Sequence, residues 1–157
     1  MKAQIGLKEK NSQKVADQLA RLLADEFVLT IKTRNAHWNI EGADFHAMHL
    51  FFESHYEALD EIADSVAERI RSLGHYAPAT MKDFLALTQL TEKRKGKNNS
   101  IDFIEDLLSD HESIIIFLRE NIKPFADTYE DSGTSDYITG LMENHEKMAW
   151  MLRAHLK

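Results

Sequence analysis

Five side chains have the strongest claim to chemistry: His37, His49, Glu53, Asp64 and Glu68. Imidazole nitrogen and carboxylate oxygen together suit a hard or borderline cation. The stretch from His37 to Glu68 is amphipathic at helical spacing. Met48, Phe52, Leu59, Ile62, Val66, Ile70 and Leu73 form its apolar stripe. At 100° per residue, His49, Glu53, Asp64 and Glu68 fall within an arc of roughly 100°, largely opposite that stripe. One face thus packs a core and the other is free to bind an ion. Glu53 and Asp64 are eleven residues apart, about 16 Å along a helix, whereas metal–ligand bonds to N and O are about 2.0–2.2 Å. If all four residues serve one site, its halves come from different copies of the helix.

The elements that must position these groups are legible from periodicity. A first helix is expected from Asn11-Ser12, both good caps, to near Trp38, with Val15, Leu19, Leu22, Leu23 and Phe27 inward. The second runs from Asp44 to Leu73 and is closed by Gly74. A long connection follows, holding a short helix in MKDFLALTQL and the basic loop Glu92-Lys93-Arg94-Lys95-Gly96-Lys97. The third helix starts at Asn99 or Ser100, carries Ile101, Ile104, Leu108, Ile115, Leu118 and Ile122, and exits at Pro124. A turn with Asp127, Glu130 and Asp131, closed by Gly133, leads to a fourth helix over 135–155, with Ile138, Leu141, Met148 and Leu152 inward. The fold class is all-α. It is a ferritin-like four-helix bundle with a short extra helix in the long connection between helices two and three. Residues 1–157 form a single domain, of which 1–11 are a short polar tail.

Composition excludes several functions. With no cysteine, disulfides, thiolate zinc sites and thiol redox chemistry are ruled out. Six glycines and two prolines favour long helices over strands and turns. No apolar run approaches a membrane span, and the N-terminus lacks the apolar centre of a signal peptide, so the expected location is cytoplasmic. A formal charge of −7 argues against a generally basic nucleic-acid binder and suits a protein that attracts cations.

Bundle di-iron proteins usually carry a Glu-x-x-His pair on one helix face. No histidine here has Glu three residues before it, and the apolar stripes fill the interior without a ring of carboxylates. A di-iron centre inside the bundle is not expected. The pattern that is present runs from His37-Trp38 through twelve residues to His49, four to Glu53, eleven to Asp64 and four to Glu68. It lies among Lys32-Thr33-Arg34-Asn35-Ala36-His37-Trp38-Asn39, Gly42 and Ala67-Glu68-Arg69-Ile70. Nearly the whole chain resembles the Dps family, the DNA-protection-during-starvation miniferritins. Many members have Asp where this chain has Glu53.

That resemblance implies a cytoplasmic ferroxidase and iron store that protects against oxidative stress. Twelve subunits would form a hollow shell. Centres at two-fold interfaces would take His37, His49 and Glu53 from one subunit and Asp64 and Glu68 from its mate. Fe(II) would be oxidised there, preferably with hydrogen peroxide, and stored as ferric mineral. Trp38 would lie beside the centre and accept an electron, or else pack the end of the first helix. Asp127 and Asp136 would line an iron-entry pore, where a negative ring attracts cations. Glu57, Asp60 and Glu61 extend the acidic face of helix two, as solvated surface or as mineral-nucleating groups. His111 and His145 fall on core stripes and read as hydrogen-bonded packing residues. His46 and His55 flank the site without matching its pattern. The alternative function is a DNA-binding architectural protein with secondary metal binding, through Lys2, Lys8, Lys10 and the 93–97 loop. Twelve copies would carry about −84 in formal charge, so DNA binding is expected to be weak or absent.

Overall fold

The computed structural model describes residues 3–157, and Lys2 of the basic tail lies outside them. The described chain is helical throughout. Its elements are α1 (Glu9–Asn39), α2 (Phe45–Ser72), the short α3 (Met81–Leu87), α4 (Ser100–Lys123), one wide turn of π-helix (Pro124–Thr128) and α5 (Ser132–Ala154). α1 packs chiefly on α2, and α4 on α5.

Two contacts fix the path of the crossover between α2 and α4. Ser12 near the start of α1 bonds His75 just beyond α2, at 3.0 Å. At the other end of the bundle, the Glu41 amide between α1 and α2 donates to the Asn98 carbonyl, 2.7 Å away. The crossover therefore runs the length of the bundle, and α4 starts where α2 starts. This is the single long crossover of a ferritin-like bundle.

Local chemistry explains the helix boundaries. Thr80, Asn99 and Asp131 cap α3, α4 and α5, their side chains accepting from the amides of Asp83, Asp102 and Thr134. Because Asp131 caps, α5 opens at Ser132, three residues before the expected start, and Gly133 sits in its first turn instead of closing the preceding one. α1 opens at Glu9, so residues 9–11 are helix and the tail is shorter than expected. Gly74 has φ +92°, the left-handed conformation that ends α2; a Cβ there would also meet Ala3 Cβ at 3.0 Å.

The expected stripe of α2 is buried in full. In α4 the buried face is turned. Ile101 is 45% exposed, while Phe103, Leu107 and Ile114 join Ile104 and Leu118 inside. Phe27 is half-buried and stacks on Phe84 of α3, 4.2 Å between ring centroids. The crossover is further tied to α1 by Asp25, which is 2% exposed. Its carboxylate accepts from the Thr88 hydroxyl at 2.6 Å and the Gln89 amide at 2.7 Å. Lys32 of α1 reaches both Asp106 and Asp110 of α4. Burial still holds the Asp110 carboxyl above its ordinary pKa, against the pull of Lys32.

Candidate metal centre

His37 stands near the end of α1 and His49 near the start of α2, so the short turn between the helices brings them face to face. Their rings stack with centroids 3.7 Å apart. The His37 Nδ1–H donates to the His49 carbonyl at 2.8 Å, and the His49 Nδ1–H donates to the His37 carbonyl at 2.7 Å. A carbonyl only accepts, so each Nδ1 must carry the proton. Both Nε2 atoms are left with lone pairs, the form that binds a metal.

Glu53 lies one turn beyond His49 on α2. The Tyr56 hydroxyl donates to its Oε1 at 3.3 Å. Tyr56 sets its ring edge-on to His37, with centroids 5.2 Å apart, and the Arg34 guanidinium covers the same ring at 4.0 Å. Arg34 in turn pairs with Asp60. Partial burial, then the neighbouring Glu53, holds the Tyr56 hydroxyl above its ordinary pKa. Arg34 and Tyr56 were not singled out from sequence. The available signal was helical spacing, three residues before His37 and three after Glu53.

Asp64 and Glu68 are both exposed, further along the same helix. α2 is unbroken from Phe45 to Ser72, so the separation of about 16 Å from Glu53 to Asp64 stands. Within one chain, no three His, Asp or Glu side chains among the described residues are grouped to hold an ion. Beside Asp64 a groove of about 470 Å³ is walled by Leu23, Ala63, Ala67, Pro78, Met81 and Phe84. Trp38 is 65% exposed and so does not pack the end of α1 within its own chain. Asp127, in the π-turn, and Asp136, in the second turn of α5, are both exposed.

The bundle interior holds a buried polar cluster around Glu26 of α1, which is fully buried. His145 Nε2 lies 2.9 Å from Glu26 Oε1, and His111 Nδ1 lies 2.9 Å from His145 Nδ1. His111 and His145 are thus hydrogen-bonded packing residues, as expected. His55 is not a flanking surface residue; it is 2% exposed and points at His111.

The basic groups offered for DNA are partly engaged. Lys8 pairs with Glu130 at 2.8 Å. Arg94 turns back over the Phe103 ring, 3.5 Å from its centroid, and donates to Lys97 and Asn98. No helix among the described residues is long and apolar enough to cross a membrane.

A family model described as a ferritin-like domain matches residues 16–157. An uncharacterized low temperature-induced protein of Nostoc sp. is 40% identical over 153 residues, covering 98% of this chain and 86% of that protein. A DNA protection during starvation protein of Helicobacter pylori is 34% identical, over 91% of this chain and 99% of its own. Among solved structures, the Dps protein of Vibrio cholerae O1, a ferritin-like diiron-carboxylate protein, matches with a TM-score of 0.92 at 31% identity, covering 99% of this chain and 97% of that one. With an all-helical bundle of the same shape and relatives above 30% identity running its length, the chain belongs to the Dps family of ferritin-like miniferritins.

Proposed function

We propose that this protein is a ferroxidase and iron store whose oxidation centres are shared between subunits. Iron storage in general accords with its family. The finer reading rests on one observation: the reciprocal bonds of His37 and His49, which leave both Nε2 atoms bare on stacked rings. Glu53, oriented by Tyr56, adds a carboxylate to that half. Asp64 and Glu68 of a two-fold mate supply the other half, with the apolar groove beside Asp64 as part of the contact. Fe(II) is the substrate, and the imidazole and carboxylate donors suit it. Trp38, next to His37 and exposed, is available to take an electron beside the centre. The mature particle is a cytoplasmic dodecamer with Asp127 and Asp136 at an iron-entry pore, and it protects against oxidative stress.

The test is iron-oxidation kinetics on metal-free protein of known assembled mass, with hydrogen peroxide and with oxygen. Faster turnover with peroxide is expected. Equal or faster turnover with oxygen alone would count against this oxidant.

A second reading comes from the name of the H. pylori relative, DNA protection. On that reading the protein coats DNA and its metal site is secondary. The engagement of Lys8 and Arg94 within the chain weakens it. A salt-dependent gel shift with iron-free protein separates the two.

A further inference from the structure

The centre of the bundle holds a second set of metal-compatible donors, distinct in its residues from the His37 set. Each of the four long helices contributes one: Glu26 from α1, His55 from α2, His111 from α4 and His145 from α5. All four are at most 2% exposed. Buried polar atoms normally have partners. Here Glu26 Oε2, both ring nitrogens of His55 and His111 Nε2 have none.

The hydrogen bonds dictate where the protons sit. The Glu26 carboxylate only accepts, so His145 Nε2 carries the proton between them. In its neutral form His145 then has a bare Nδ1, and in that form the proton in the contact between His111 and His145 belongs to His111 Nδ1. His111 Nε2 is left as a buried lone pair with nothing to accept. A carboxylate acting through a chain of N–H donors to fix the tautomer of one imidazole is how ligand histidines are prepared for metals.

The His55 ring stands almost perpendicular to that of His111, at 88°. Its ring centroid is 6.1 Å from that of His111. Two imidazoles on one ion, bound through nitrogen at about 2.0–2.1 Å, have centroids at most roughly 6.4 Å apart. No hydrogen bond fixes the His55 ring, which packs on Phe51 with centroids 4.4 Å apart. His55 also lines a groove of about 530 Å³ between α2 and α5, beside Ser54, Glu61, Ser65, Lys147 and Met148. The groove gives a path to solvent.

We propose that His55 and His111 bind a late first-row divalent cation of the Zn2+ type in the core of each bundle, with His145 and Glu26 as positioning residues. The ion enters by the groove between α2 and α5, and water from that groove completes its coordination. The site is independent of the shared centre proposed above.

The assembled protein carrying His37→Ala, His49→Ala, Asp64→Ala and Glu68→Ala lacks the surface centre and is the background for the test. Zn2+ is titrated into it, metal-free, and the bound ion is examined by zinc X-ray absorption and by anomalous diffraction. The expected result is one ion per chain with an imidazole signature, and an anomalous peak between His55 and His111. Adding His55→Phe should abolish that ion. Adding Glu26→Gln should keep both ligands yet weaken affinity about 10-fold or more, since the tautomer relay is blunted. A water without anomalous signal at that position under saturating zinc overturns the proposal. So does zinc binding that His55→Phe leaves unchanged. The diffraction result decides the matter even if a core variant fails to assemble.

Discussion

His37 and His49 each bond the other's main chain, at 2.8 and 2.7 Å, across the turn that joins α1 to α2. The pair therefore closes the helical hairpin and, with the same bonds, leaves both Nε2 lone pairs bare. On the proposed function, folding of one chain prepares half of the shared centre. It does not bring Asp64 and Glu68 to that half, because α2 is straight and continuous between them.

Complementation between defective subunits tests the division. One variant carries His37→Ala and His49→Ala; the other carries Asp64→Ala and Glu68→Ala. Each homo-oligomer should lose most ferroxidase activity. After unfolding, mixing and reassembly, a mixed two-fold pair has one intact centre and one doubly defective one. With random pairing and independent sites, activity should recover to roughly a quarter of wild type. No recovery from variants that assemble and pair freely would show that the centre lies within one chain.

Changing Asp127 and Asp136 together to Asn should slow iron entry and leave oxidation at the centre intact. Both carboxylates are exposed. Their pull on Fe(II) should therefore fade at high salt, where screening acts over less than about 8–10 Å. Stopped-flow uptake at low and high ionic strength reads this. Unchanged uptake at low salt removes the pore assignment.

Duplex DNA should form no stable complex with the iron-free protein at about 0.15 M salt and neutral pH. The formal charge of −7 per chain opposes it, and Lys8 and Arg94 are held by Glu130 and by Phe103, Lys97 and Asn98. A retarded band that disappears when residues 1–10 are removed would reverse this expectation.

Acid should weaken the metal-free protein through its buried histidines. Burial first, then the nearby His155, lowers His55 from 6.5 to about 4, and burial lowers His111 in the same direction. Above the unfolded value both states are neutral and pH has no effect. Between about pH 6.5 and 4 the unfolded chain takes up a proton that the native His55 refuses, so stability falls as pH falls. The displacement of His55 corresponds to about 3 kcal/mol at full effect. Denaturant unfolding across this range should show the slope, and His55→Phe should flatten it. A slope unchanged by that substitution would assign the acid sensitivity elsewhere.

The parts legible in the sequence are those encoded locally. The stripe from Met48 to Leu73 is buried as its periodicity predicts, and His49 and Glu53 share a face because one helical turn separates them. Tertiary pairings were not legible. Glu26 meets His145 across 119 residues of chain, and no periodicity announces such a contact. His55 looked like a neighbour of the surface site, although three residues past Phe52 it shares that residue's buried side. Ile101 fitted the apolar spacing of α4, yet the helix turns Phe103 and Leu107 inward instead, and larger buried area accounts for the preference.

Asp25 has a consequence for how the crossover moves. By holding Thr88 and Gln89, it divides one long connection into two segments. The first, with α3, stays docked through the stack of Phe84 on Phe27. The second, residues 91–98, is mostly exposed and is restrained chiefly through Arg94 and the bonds at its far end. A protease nick or an inserted peptide near Lys95 would thus be absorbed without undocking α3. That segment is where a cargo or a tag could be grafted while the hairpin of α1 and α2 keeps its shape.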